Sequence, residues 1–381
     1  MVESQKGYDE VAFPRIPTTL LVELRAMSSA RPSSRLIDAQ NVAFGTHPGL
    51  KRKRNEDQAV VAHVKSNGGQ AYALAVVCDG VGGSEMGDEA SALTVAYLVT
   101  FLAANRKSED LSFVLDRVVR QADDAVRKQL QGKGATTLSV LLIDQKEQFV
   151  ATNVGDSRIF SWDAARSSIR QVSTDDTLEN ELKDLAVAGG AALDAHGLRG
   201  SLSQAIGEPG RLSKDLRLTI LRKDDFQGAG AILASDGVWR GNEVAFFSIV
   251  KNASNPIDLV RRTIAFSNWI GGADNASIVA IPDIQLLARA CNSQSDSYLA
   301  GTCVVWIGDS KVAETLEISA GNEANADTAF VKEKKKKYPK KKLPPSPERP
   351  AQLELGGEGK NKPGEAEKSD SLKVTTDRKA T

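Results

Sequence analysis

Cysteine, histidine and any imbalance of charge are what this sequence has least of. Its three cysteines, Cys78, Cys291 and Cys303, form an odd set without metal-ligand spacing, which argues against a disulfide framework or a zinc site. Lys plus Arg and Asp plus Glu total 49 each, so no overall field draws the chain toward nucleic acid or a membrane surface. A long hydrophobic run is also missing. The most apolar helix-like stretch, 93–104, is interrupted by Thr94, Tyr97 and Thr100 and is shorter than the ~20 residues that span a bilayer. The opening MVESQKGYDE has no basic segment followed by an apolar one, so a secretion signal is not expected and a reducing, cytoplasmic location is.

What the chain does have is acid in a fixed order. Asn55-Glu56-Asp57, Asp79-Gly80-Val81-Gly82-Gly83, Gly155-Asp156-Ser157-Arg158, Ser235-Asp236-Gly237 and Asp274-Asn275 each fall where an apolar run meets a turn. A carboxylate at the end of a buried strand is held rigidly while still facing a cleft. Several such groups converging on one point repel one another unless a cation lies between them. Hard oxygen ligands without His or Cys suit Mg²⁺ or Mn²⁺, so the set reads as a polynuclear metal site.

Around these motifs the chain divides into four stretches. Residues 1–37, with Pro14, Pro17 and Pro32, read as an N-terminal arm. The run 71–77 is a buried strand that delivers Asp79 into its turn, and helical patterns follow at 88–105 and from Leu111 to Ala125. Strand signals return at 138–143, 149–153, 159–162, 216–221, 231–234 and 277–281. Helices followed by hairpin-spaced strands imply antiparallel sheets with helices outside. The long segment 173–203 is expected to be functional or disordered. Residues 284–330 form an extension without a recognisable domain, in which 299–307 and 312–318 have strand character. From 331 to 381 the chain is Lys- and Pro-rich and reads as a disordered tail.

The motifs, in this order and at these intervals, resemble the metal-dependent protein phosphatase family, the type 2C Ser/Thr phosphatases, and its bacterial branch in particular. The resemblance covers residues 38–283. It implies an α+β fold, a four-layer α-β-β-α sandwich of two antiparallel sheets flanked by helices. It also implies a protein-serine/threonine phosphatase that hydrolyses phosphoserine and phosphothreonine by attack of a hydroxide bridging two Mn²⁺ or Mg²⁺ ions. Asp79 would touch both ions and the Gly80 carbonyl would be a backbone ligand. Asp236 and Asp274 would complete one shell, while Glu56 and Asp57 would hold the other ion largely through waters. Asp156 resembles the carboxylate that joins Asp236 around a third, weaker ion. Arg52 would clamp the phosphoryl group, with Arg54 as the fallback. The segment 173–203 resembles a mobile flap. Partners implied are phosphorylated protein substrates and an opposing Ser/Thr kinase, for a monomer without a membrane span.

Other residues receive plainer readings. Arg158 is expected in a structural salt bridge, Asn275 in hydrogen bonds to its neighbours, and His47, His63 and His196 on the surface or in loops. Val81 stands where eukaryotic relatives often have a His proposed as general acid, so the leaving group would be protonated by water or another group. Gly308-Asp309-Ser310 echoes 155–157 but is followed by Lys311 and is read as chance. A GDSL-type hydrolase with Ser157 as nucleophile requires a late Asp-x-x-His, and no His follows His196. A pseudophosphatase-like binding or scaffold protein is the other alternative, opposed by the presence of every expected carboxylate. The Lys-rich run 332–342 either recruits an acidic partner or is simply solvated.

Overall fold

A computed structural model describes residues 13–29, 32–82, 84–184 and 200–316. Two central strands, β3 (Asp57–Lys65) and β4 (Ala71–Asp79), are buried on both faces, so they read as nearly continuous apolar runs. Val60, Ala62, Val64, Tyr72, Leu74 and Val76 point into one core, while Ala59, Val61, Ala71, Ala73, Ala75 and Val77 point into another. Beyond β4 lie β5 (Leu138–Asp144), β6 (Phe149–Val154) and the short β9 (Leu221–Arg222). On the other flank β3 is extended by β12 (Thr302–Ile307) and β13 (Ser310–Thr315). The resulting seven-stranded sheet of described residues runs β13-β12-β3-β4-β5-β6-β9, antiparallel throughout.

A second antiparallel sheet has the order β1-β2-β11-β10-β7-β8, from β1 (Ser33–Ile37), β2 (Val42–His47), β7 (Arg158–Asp163), β8 (Ser168–Gln171), β10 (Gly230–Ala234) and β11 (Ala276–Ile281). Its inner residues Val42, Phe44, Ile159, Ala231, Leu233, Val279 and Ile281 meet the inner face of β3–β5 and form the middle core. The outer face of the first sheet is covered by α1 (Thr18–Ala26), α2 (Gly87–Ala104) and α3 (Leu111–Leu130). α2 is buried on almost every side because it lies between the sheet and α3, whose apolar positions instead form one stripe, Val114, Leu115, Val118, Ala122 and Ala125. Asp110 starts α3 by accepting from the Ser112 N–H, 2.9 Å away.

The second sheet's outer face is covered by α5 (Asp236–Trp239), α6 (Glu243–Asn252) and α7 (Pro256–Trp269), completing four α-β-β-α layers as expected. A short α4 (Leu178–Asp184) opens the segment after β8. No helix among the described residues is long and apolar enough to cross a membrane.

Several sequence expectations change. No strand is predicted between 57 and 65, yet β3 is central to its sheet; Gln58 and His63 break its apolar run, and both are buried there. His63 is therefore not a surface residue. Its ring lies edge-on to Trp306 with centroids 4.9 Å apart, and burial pushes its pKa down to about 4. Of the strand expected at 216–221, only its last residue enters β9. His196 and much of the expected flap fall in 185–199, and the expected tail in 317–381, both outside the described residues.

Neither boundary expected at 37/38 or 283/284 coincides with a break in packing. β1 is the edge strand of the second sheet, and α1 seals the first core through Leu20 and Leu24. After Asp283, α8 (Ile284–Ser295) buries Ile284, Leu287, Ala288 and Cys291 in the middle core. β12 then pairs with β3 along its length, from Thr302 opposite Lys65 to Ile307 opposite Val60. Gly308-Asp309 is the turn of the β12–β13 hairpin, so its echo of the acidic motif is fortuitous. Each large apolar side chain removed from this core forfeits roughly 1.5–3 kcal/mol. A chain ending at Asp283 is accordingly expected to be insoluble or unfolded, while one ending at Ala320 keeps a cooperative thermal transition. A folded, cooperative 283-residue product would show that the extension is dispensable.

Candidate metal centre

All five acidic motifs lie at one end of the paired sheets. Asp57 opens β3 and Asp79 closes β4, and the two are directly opposite in register. Asp236 follows β10, Asp274 precedes β11, and these strands are antiparallel neighbours in the other sheet. Asp156 sits where the chain crosses from β6 of the first sheet to β7 of the second. Strand polarity thus brings together carboxylates that are up to 217 positions apart in sequence.

Hydroxyls fasten this end. Asp57 Oδ2 accepts from Ser235 Oγ at 2.8 Å, and Ser235 Oγ accepts from the Ser277 N–H at 2.9 Å, tying the first sheet to the second. The Asp79 N–H donates to Thr137 Oγ1 at 3.0 Å, and Thr137 Oγ1 lies 2.6 Å from Ser157 Oγ. Asn275 behaves as expected: its Oδ1 accepts from the Glu56 N–H at 2.8 Å, and its Nδ2 donates to the carbonyls of Pro48 and Arg54 at 2.8 and 2.9 Å. Gly80 has no room for a side chain, because a Cβ there would lie 2.6 Å from the Gly87 backbone. Gly237 is tighter still, its Cβ position being 1.9 Å from the Asn275 carbonyl oxygen.

The motifs surround a cleft of about 480 Å³ whose wall includes Asp79, Asp156, Asp236, Asp274, Arg52 and Arg240. Asp57 is fully buried and Glu56 half-buried beside Gly80 and Gly87, so both stand behind this wall. Gly83 lies outside the described residues. Burial, reinforced by Asp57 and Asp236, pushes Asp79 well above the usual carboxylate range. Burial also raises Asp57 to about 7, against hydrogen bonds from Ser235 and Ser277, and raises Asp236 to about 6, against the charge of Arg240. Asp156 is raised by burial as well, with Arg240 opposing.

Cations already lean on the cluster. Arg52 Nη2 lies 2.8 Å from Asp274 Oδ2, and the absence of a side chain on Gly82 leaves room for its guanidinium. Arg240 pairs with both Asp156 and Asp236. Sequence reasoning passed over Arg240; the available signal was its position four residues after Asp236, on the same face of one helical turn. Arg158 forms the structural bridge expected of it, to Asp175 and Glu243 at 2.8 Å each, with its Cζ 3.4 Å from the centre of the Trp239 ring. Arg54 pairs with Asp88 at 3.0 Å.

The donors fit a hard divalent ion. Asp57 Oδ1 and Asp236 Oδ1 are buried without a hydrogen-bond partner among the described residues, an arrangement that a cation relieves. No three acidic, His or Cys side chains among the described residues close a ready-made shell.

The class so defined is an α-β-β-α sandwich with an acidic centre where the two sheets end together. The family model described as protein phosphatase 2C matches residues 51–239. This chain is 26% identical over 246 residues to the serine/threonine phosphatase stp of Listeria welshimeri, an overlap of 62% of this chain and 94% of that one. It is 26% identical over 249 residues to protein phosphatase PhpP of Streptococcus pneumoniae, covering 63% and 96%. Among solved structures, serine/threonine phosphatase Stp1 from Staphylococcus aureus aligns with a TM-score of 0.53 at 21% identity, covering 66% of this chain and 96% of that one. The PPM Ser-Thr phosphatase MsPP from Mycobacterium smegmatis aligns at 0.50 with 25% identity, covering 64% and 97%. The chain belongs to the protein phosphatase 2C family, in its bacterial-type branch.

Two outcomes follow from this geometry. Unfolded Asp side chains titrate near 3.8, whereas folded Asp57 and Asp236 do so near 7 and 6. The metal-free folded state therefore holds protons that the unfolded state has released, and this stability is fully present below the unfolded value and lost as pH rises through 6 to 7. In chelator the thermal midpoint should be several degrees higher at pH 5 than at pH 8, with Mn²⁺ restoring it at pH 8. A metal-free midpoint that does not fall with pH, or a fall undiminished in Asp57→Asn, contradicts the assignment. Gly237→Ala should force the Asp236 turn away from the Asp274 loop and reduce kcat/KM on a phosphate ester about a hundredfold while the protein stays folded. Activity within about threefold of wild type would mean that this contact does not position the carboxylates.

Proposed function

We propose that this protein is a metal-dependent phosphatase that hydrolyses phosphoserine and phosphothreonine in proteins, in opposition to a Ser/Thr kinase. The observation that carries the reading is the pairing of Asp57 with Asp79 across two strand ends, facing Asp236 and Asp274 from the other sheet. Asp79, the Gly80 carbonyl, Asp236 and Asp274 would hold the ions directly, with Glu56 and Asp57 behind them through waters. Bound Mn²⁺ or Mg²⁺ supplies Lewis-acid activation of a water and compensation of phosphoryl charge.

The remaining work falls to the chain. Arg52 stands at the cleft mouth, 41% exposed at its side chain, so its guanidinium is free to exchange Asp274 for a phosphoryl group. Its planar fork matches two phosphoryl oxygens and gains strength as charge develops on them. Asn275 and Ser235 keep the carboxylate-bearing loops in place from behind. Val81 brings no imidazole to the cleft wall, so the departing alcohol would take its proton from water or another group.

Ser157 is unsuited to the alternative of a serine hydrolase. It is fully buried and bonded to Thr137, and no imidazole is placed beside it among the described residues. A pure scaffold role leaves a buried acidic cluster without a purpose.

Asp79→Asn should lower Mn²⁺-dependent turnover of a phosphopeptide more than about a hundredfold with the thermal transition retained. Undiminished turnover would refute the metal assignment. Arg52→Ala should raise KM and lower kcat, together costing about a hundredfold in kcat/KM. An unchanged KM would pass the phosphate role to Arg54 or to none.

A further inference from the structure

Arg240 is placed as a fork between two carboxylates of different elements. Its Nη1 pairs with Asp236 Oδ2 and its Nη2 with Asp156 Oδ2, so each terminal nitrogen serves one acid. One turn of helix sets the reach: Arg240 is four residues after Asp236, and its N–H donates to the Asp236 carbonyl at 2.8 Å. Trp239 stands beside it, with the Arg240 Cζ 5.7 Å from the ring centre. That ring is held on its face by Arg158, itself fixed by Asp175 and Glu243. Asp156 and Asp236 are each under 10% exposed, so the charge they carry needs a partner close by.

These two acids are the pair that resemblance to the family gave to a third, weaker divalent ion. A guanidinium keeps its charge at every accessible pH, is tethered to the chain, and occupies the space between them. A divalent ion entering between the same two carboxylates would meet that fixed charge and have to displace it. We propose that Arg240 is a built-in cation that replaces the third ion, so that this protein takes up two divalent ions and no third. The proposal rests on the reading of Asp79, Asp236 and Asp274 as a two-ion site. It also gives Asp156 a different role from the one expected, as the seat of an arginine rather than a metal ligand.

The test is a count of Mn²⁺ bound per chain by the metal-stripped full-length protein, read from the electron paramagnetic resonance signal of free aquo-Mn²⁺ during titration. Wild type should saturate at two ions. Arg240→Gln, which vacates the fork without adding charge, should bind a third ion at least about tenfold more tightly than wild type does. Arg240→Lys, which keeps a cation there, should remain at two, and Asp156→Asn in the wild-type background should leave the count at two. A wild-type count of three, or a count lowered by Asp156→Asn, overturns the proposal while leaving the two-ion reading intact. An Arg240→Gln count of two overturns it as well, since no third position then exists to be filled. A wild-type count below two removes both the proposal and the two-ion reading beneath it. Because the wild-type and Asp156→Asn counts are themselves decisive, the proposal stays exposed to refutation even if Arg240→Gln does not fold.

Discussion

Charge repulsion among buried carboxylates is the constraint on which this molecule turns. Asp57, Asp79, Asp156 and Asp236 are gathered at one end of two sheets, three of them almost without solvent. Left alone, such a cluster opposes folding, since each ionised acid loses hydration and faces like charge. Two remedies are open: the acids take up protons, or cations enter. Burial pushes the titration of these groups upward, toward the first remedy, and Arg52 and Arg240 bring the second from the chain itself. A site held in this condition is poised for a divalent ion.

The two arginines do different things because they are anchored differently. Arg52 belongs to a loop and makes one ion pair at the cleft mouth, which a competing oxyanion can displace. Arg240 makes two pairs within reach of its own helical turn and is backed by the stacked Trp239 and Arg158. A ligand must break both pairs to dislodge it. Exchangeable charge therefore stands at the cleft mouth, and fixed charge lies at Asp156.

Much of the site was legible in the sequence because each acid is announced by its turn. Asp79, Asp156 and Asp236 each adjoin a glycine at the end of an apolar run, and the four-layer fold came with the family resemblance that the order of the motifs carries. What was not legible depended on long-range pairing. β3 is broken in sequence by Gln58 and His63, and only its neighbours on both sides make those residues tolerable. The region after Asp283 looked separate because its hydrophobic residues are complementary to β3 and the middle core rather than to each other. Arg240 was missed because a four-residue helix is too short to show a period, so its spacing of four from Asp236 did not stand out as a helical one.

The distance between the two halves of the centre is set by the middle core. The first sheet supplies Asp57 and Asp79, the second supplies Asp236 and Asp274, and no single sheet holds the whole set. β4 places Ala71, Ala73 and Ala75 on the face that meets Phe44, Ile159 and Leu233. Small residues on one side against large ones on the other let the sheets approach closely at constant packing density. A larger side chain on β4 would push the sheets apart and carry the carboxylate pairs with them, a displacement felt at the cleft long before the fold fails. The alanines of β4 are thus as much a part of the candidate metal centre as the acids at its end.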